Sequence, residues 1–268
     1  MRVKRRTQAT LAVSSTGRDW CLLNCSPDIR EQIGFVDALR PRHSIRDNPV
    51  SDVVLTNADI DHIGGLLSLR EGHAFTIHAT SDTLAVLKCN PVFDVLAAQT
   101  VARCSIKIGV KHPISGDLSI ECFMVPGKLP LYLEGEAPNT KLKSGNTIGV
   151  EVFSGGRRFC YIPGCADLDD ETTSRVRNAE LLFFDGTLWS DDEMIASGTG
   201  VKTGRRMGHM PVGGAGGSLA ALTKLGVKRL IYTHMNNTNP MLIDGSEQHQ
   251  AVLAAGAETG HDGMEIVL

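Results

Sequence analysis

Short apolar runs with strand character recur along this chain: QATLAVSS, WCLLNCS, DVVLTN, FTIHAT, LSIECFMVP, TIGVEVFS, RRFCYIPG, AELLFFDG, RLIYTH and GMEIVL. Several are closed by Gly, Asp or Asn, residues that favour turns. STGRD, between the first two runs, reads as a hairpin turn. Between the runs lie segments whose apolar residues follow helical spacing: IGGLLSLRE, SDTLAVLKC, PVFDVLAAQTV, DLDDETTSRVRN, SLAALTKLG and SEQHQAVLAAGAE. Ser81 with Thr83 and Leu84, and Asp167 to Asp170, mark helix starts. Strands dominate the front, and βα alternation the end. The pattern predicts an α/β protein, two mixed β-sheets with helices outside, in one αββα sandwich domain.

The totals fit that picture. The 268 residues suffice for a sizeable core, and 42% hydrophobic with 21% charged residues is ordinary for a globular protein. A formal charge of −3 gives no reason to expect a nucleic-acid partner. Arg2, Lys4, Arg5 and Arg6 cluster at the start and read as a solvated tail. No apolar run there forms a secretory signal, and none elsewhere is long enough to span a membrane. The seven cysteines form no CxxC pair, which argues against a disulfide framework and for a reducing cytoplasm. The glycine-rich GHMPVGGAGGSLAAL lacks the phosphate-loop and dinucleotide fingerprints, and no G-x-S-x-G elbow occurs.

Chemistry concentrates at strand ends. VVLTNADIDHIGGLLSLRE, residues 53–71, reads as strand, polar loop and helix. Asp61 and His62 in its loop suit Fe(II), Mn(II) or Zn(II); on this loop alone, an aspartate capping a helix fits equally well. KRLIYTHMNNTNP repeats the pattern, with His234 at the end of an apolar strand, where α/β sheets commonly hold ligands. RRMGHMPVGG sets His209 in a glycine-rich loop. LLFFDGTLW ends at Asp185 and Thr187, and Asp185 reads as a turn residue or as a partner orienting a histidine. Cys165 reads as an inert thiol. His43, His73, His78, His112, His249 and His261 lack converging context and are expected to be surface or packing residues.

The order of these motifs, D-H loop, GGL, VPGKLPL, YIPGCA, LLFFDGT, IYTHMNN, resembles the metallo-β-lactamase superfamily. LTNADIDHIGGLLSLREG, VFDVLAAQTV, VPGKLPLYLE, KTGRRMGHM and HMNNTNP are similar, over nearly the whole chain, to the family of coenzyme PQQ synthesis proteins B. The superfamily's H-x-H-x-D-H motif falls on Asn57, Asp59, Asp61 and His62. Lys128 stands at the usual PGH histidine, and Cys165 at the usual bridging aspartate. The resemblance therefore disfavours a dinuclear zinc hydrolase. Family members begin with a glycine-rich strand and a C-x-C-x-x-C structural-zinc segment. The expectation is one domain over residues 1–268 that lacks this segment.

The resemblance implies a mononuclear Fe(II) site on Asp61, His62 and His234, a set that also accommodates Zn(II) or Mn(II). His209 and Asp59 stand as catalytic candidates, with His209 a further ligand or a proton-transfer residue. Asp185 is expected in the outer layer of the site, and Lys128, Arg205 and Arg206 at substrate carboxylates. The implied activity is iron- and O₂-dependent hydroxylation of the tyrosine ring in a Glu-Tyr-derived precursor of pyrroloquinoline quinone (PQQ). The substrate would come from other PQQ-biosynthesis enzymes. Two alternatives are a non-catalytic carrier of PQQ or its precursor, with the family's suggested role in transport toward the periplasm, and a mononuclear zinc hydrolase.

Overall fold

The computed structural model describes residues 3–42, 44, 47–135, 139–140 and 143–268. Two sheets form. The first carries β1 (Leu11–Val13), β2 (Trp20–Leu23), β3 (Val50–Val54), β4 (Phe75–Ala79) and β5 (Val101–Ser105) in that order. Its β1–β2 pair is antiparallel, as the STGRD hairpin predicts, and the rest is parallel. The second sheet draws on β6 (Lys111–Pro113), β7 (Ser119–Met124), β8 (Ile148–Ser154), β9 (Arg157–Ile162), β10 (Leu181–Asp185), β11 (Leu230–Thr233) and β12 (Ala257–Thr259). Here β6 to β9 are antiparallel and β9 to β12 parallel.

Alternation along the strands separates three apolar layers. Cys21, Leu23 and Val54 point between the sheets, where they meet Ile120, Cys122, Val150, Tyr161 and Ile231. Their neighbours Leu22 and Val53 face outward with Ile77 and pack on helices α1 (Ile29–Phe35), α2 (Ile60–Ile63) and α3 (Ser81–Cys89). On the far side Cys160, Ile162, Leu182, Phe184 and Tyr232 meet α4 (Asp170–Val176), α7 (Ser218–Leu222) and α8 (Glu247–Ala254). A period of two on strands buried on both faces needs two covering layers, so the chain is an αββα sandwich. Thr80 and Asp169 cap α3 and α4 by accepting from Thr83 N and Thr172 N.

Local departures have local causes. IGGLLSLRE forms no α-helix: the single turn α2 ends at its first residue, Ile63, and a 3₁₀ segment follows over Gly64–Leu69. Gly65 lies so close to the backbone of Cys25 and Ser26 that a Cβ would sit 2.0 Å from Ser26 O. PVFDVLAAQTV is not one helix: a 3₁₀ turn covers Pro91–Val95, and Val101 already opens β5. GMEIVL forms no strand; the last strand is β12, entered straight from α8 through Gly256 at φ +75°. Arg6 is not part of a solvated tail, since its Nε donates to Gly260 O at 2.7 Å. Arg2 and His43 lie outside the described residues. The seven cysteines are free thiols. Among the described residues no helix is long and apolar enough to cross a membrane.

The Gly65 approach holds the Cys25 backbone against α2, with Cys25 N–H on His62 O at 2.7 Å and Gly65 N–H on Cys25 O at 2.9 Å. Gly65→Ala should therefore destabilise the fold by about 1–3 kcal/mol through overpacking against backbone. An unchanged denaturant midpoint in chemical unfolding would contradict that account.

Candidate metal centre

β3 ends in the loop 55–59, and α2 then presents Asp61 and His62. From the second sheet, Asp185 and Thr233 are register partners at the ends of β10 and β11, so Thr187 and His234 follow at the same edge. Helix α5 (Glu193–Ala196) lies between Thr187 and a third contribution, α6 (Gly204–Met207). α6 ends on Gly208 in a left-handed cap at φ +91° and delivers His209, while Met210 N–H bonds Cys165 O at 2.7 Å.

One ligand atom each from Asp61, His62 and His234 lies within 4.8 Å of the other two. His234 Nε2 is 2.7 Å from Asp61 Oδ2, and the His62 and His234 ring centroids are 5.0 Å apart. A second group, Asp185, His209 and His234, meets the same criterion and shares His234. His209 stacks on His234 at 5.2 Å.

The orientation of His62 follows from a chain of hydrogen bonds. Asn57 Oδ1 accepts from Asp59 N–H at 3.0 Å, and Asn57 Nδ2 donates to Asp59 Oδ2 at 2.9 Å, which fixes the amide. His62 Nδ1–H donates to Asn57 Oδ1 at 2.5 Å. The lone pair is thereby left on Nε2, which is buried and has no hydrogen-bond partner among the described residues. A buried acceptor without a partner is costly, and a cation held by His62, Asp61 and His234 would satisfy it. Burial pushes the His62 imidazole down to about 4, so it is neutral. Burial alone would raise the Asp61 carboxyl, but the nearby His62 and the hydrogen bond from His234 hold it far below the usual range. Carboxylate and neutral imidazole are the states a metal requires.

His234 is the strained member, a non-glycine residue at φ +57°. Thr187 holds it there: its hydroxyl lies 2.8 Å from His234 Nδ1 and 3.0 Å from His234 O, and it donates to Asp185 Oδ1 at 2.6 Å. Burial opposes the His234 charge, yet Asp61, and Asp185 behind it, raise the imidazole to about 9. A metal held by His234 would take the place of the Nε2 proton, with Nδ1 still held at 2.8 Å by the Thr187 hydroxyl.

Asp185 is fully buried. It accepts from Cys165 N–H and Thr187 N–H, both at 3.0 Å, and lies 2.7 Å from His209 Nδ1. That geometry makes it an orienting carboxylate for His209. Lys128 packs along Gly208, and its Nζ donates to Leu129 O at 3.1 Å. Arg205 is tied to Ala166 O and Gly216 O, at 3.2 and 3.3 Å, and stands 3.6 Å from Asp167. Arg206 pairs with Glu134, which also accepts from Lys202 at 3.0 Å. Sequence reasoning overlooked Asn57 as the group that orients His62 and Thr187 as the hub behind two histidines. The DGT that closes β10 was the available signal for Thr187.

Fold and site together define a metallo-β-lactamase domain, and residues 19–235 match the family described as "Beta-lactamase superfamily domain". The chain is 48% identical to coenzyme PQQ synthesis protein B of Methylobacterium nodulans, across 100% of this chain and 89% of that one. It is 50% identical to the protein of that name from Rhizobium meliloti, across 99% and 87%. The crystal structure of zinc-bound PqqB from Methylobacterium extorquens superposes with a TM-score of 0.97 at 44% identity, covering 100% of this chain and 89% of that one. The chain belongs to the family of coenzyme PQQ synthesis protein B.

Removing the group that aims His62 should weaken the centre without removing a ligand. Asn57→Ala is expected to lower metal affinity about 10- to 100-fold, the usual cost of losing an orienting partner. Competition with a chelator of known affinity measures this, and an affinity equal to that of the unsubstituted protein would refute the assignment.

Proposed function

We propose that this protein acts in PQQ biosynthesis as a metal-dependent enzyme, an iron- and O₂-dependent hydroxylase of the tyrosine ring in a Glu-Tyr-derived precursor. The observation that carries the reading is the Asp61, His62, His234 group with the unpartnered His62 Nε2. Two imidazoles and one carboxylate are the donor set of mononuclear non-haem iron oxygenases. When bound there, Fe(II) supplies O₂ activation beside the substrate. The superfamily's bridging aspartate is replaced by Cys165, whose thiol donates to Asp167 O at 3.0 Å. Burial, then the charge of Asp185, push that thiol far up, so it stays protonated. Without the bridging carboxylate the position favours one metal over two, which disfavours a dinuclear zinc hydrolase.

The surrounding residues give the substrate two kinds of handhold. Leu129, Leu131, Tyr132 and Leu133 are exposed, and Tyr132 Oη donates to Ala58 O at 2.7 Å, which sets this apolar segment beside the loop bearing Asn57 and Asp59. An aromatic ring can lie against it. Lys128, Lys202 and Arg206 surround the single carboxylate of Glu134. Carboxylates of a Glu-Tyr substrate would take up this cationic side, with Lys128 or Arg206 as donors. Asp185 holds His209 by Nδ1, leaving Nε2 to accept a ring or phenol proton. Asp59 keeps Asn57 in place and so acts through His62.

Two outcomes are expected. Under anaerobic conditions the protein should bind Fe(II), lose one equivalent in His234→Ala, and on addition of O₂ convert a Glu-Tyr peptide to a product one or more oxygen atoms heavier. Peptide binding without turnover by the iron-loaded protein would instead mark a carrier. His209→Gln should retain Fe(II) yet slow turnover about 10²- to 10⁴-fold, the range for loss of a proton-transfer group. Unchanged single-turnover rates would remove His209 from the mechanism.

A further inference from the structure

Away from this centre, three more potential ligands converge where the sheets' outer strands meet. β5 is the last strand of the first sheet and β6 the last strand of the second, and the chain passes directly from one to the other. The crossover is pinned to both sheets, by Ile106 N–H on Ala79 O and Gly109 N–H on Cys122 O, each at 2.8 Å. Cys104 sits at its start and His112 at its end. In register, Val54 pairs with His78 and His78 with Cys104, so these side chains share the face that Val54 turns toward the second sheet. His112 pairs with Ile120, which turns its side chain into the same layer. His78 and His112, expected as surface or packing residues, are therefore brought together.

One ligand atom from each of His78, Cys104 and His112 lies within 4.8 Å of the others. Cys104 Sγ is 3.5 Å from His112 Nε2, and the two imidazole centroids are 5.2 Å apart. Tetrahedral zinc, with bonds of about 2.1 Å to nitrogen and about 2.3 Å to sulfur, sets such a pair about 3.5 Å apart. His78 is 5% exposed, and its Nε2 lies 2.7 Å from Asp52 Oδ1. Asp52 is itself fixed by Ser51 Oγ at 2.8 Å and Ser115 N–H at 3.3 Å. His78 Nδ1 is buried and unpartnered among the described residues. A carboxylate that takes one imidazole N–H and leaves the other nitrogen's lone pair free is the arrangement found behind metal-bound histidines.

We propose that His78, Cys104 and His112 form a second metal site, built for Zn(II) or a divalent cation of like softness, that clamps the outer strands of the two sheets together. Thiolate and imidazole select such a cation. The Cys104 thiol proton leaves to water on binding, and the half-buried mouth at Cys104 and His112 gives the ion entry and a water as fourth ligand. Asp52 orients His78 and does not bind the ion.

Cobalt(II) titration of the metal-stripped full chain tests this, because a thiolate ligand produces a sulfur-to-cobalt charge-transfer band that the Asp61, His62, His234 centre cannot give. Wild type should take up two equivalents and show the band. Cys104→Ser should lose the band and one equivalent, with Fe(II) binding and turnover at the first centre retained. His112→Gln, at a partly exposed position, provides a second variant with the same readout and should weaken uptake at this site at least tenfold, with circular dichroism confirming the fold. Absence of the band in wild type, or its survival in both variants, would overturn the proposal.

Discussion

The close approach of Asp61 and His234 from opposite sheets is the constraint on which the centre depends. Asp61 belongs to a one-turn helix after a strand of the first sheet, and His234 to a strained turn after a strand of the second. Their 2.7 Å separation is possible only because the apolar layer between the sheets fixes where both strands end. His62, one residue from Asp61, then has no freedom to point elsewhere, since Asn57 and Asp59 hold its ring from behind. The left-handed backbone at His234 costs about 1–3 kcal/mol, and Thr187 and the Asp61 pair offset it locally.

A second consequence of that geometry is the division of labour among carboxylates. Asp61 faces the histidines and is ionised. Asp185 is buried beneath His209 with both oxygens engaged by backbone or hydroxyl donors. Asp59 is spent on Asn57. Three aspartates of the same chemistry thus face the histidines, hold His209 from behind and brace Asn57, set by what each one's neighbours leave unsatisfied.

The central strands were legible because their apolar runs alternate against two covering layers, and Asp61, His62 and His234 stood out because each lies in the polar segment that follows such a run. The two edge strands β5 and β6 were not: Val101–Ser105 and Lys111–Pro113 carry Arg, Lys and Pro, the residues that keep an edge from pairing further, and so lack a strand's pattern. The His78, Cys104, His112 group was invisible for the same reason, since two of its members ride on those edges. Asn57 and Thr187 could be seen as polar residues in a loop, but their roles depend on hydrogen bonds across sheets that no local spacing encodes. The helix at Ile29–Phe35 was overlooked although Asp28 followed by Glu31 is a start signal; the Asp28 side chain makes no capping bond.

The wide separation of Asp61 and His234 along the chain, 173 residues, has a bearing on how the protein is made. At about 5–20 residues per second, the ribosome completes Asp61 and His62 roughly 9 to 35 seconds before it supplies His234. Until then a nascent chain carries Asp61 and His62 but not the third member of their cluster. The Asp61, His62, His234 cluster therefore exists only in a chain whose two sheets are both made, and its assembly marks completed synthesis of the fold.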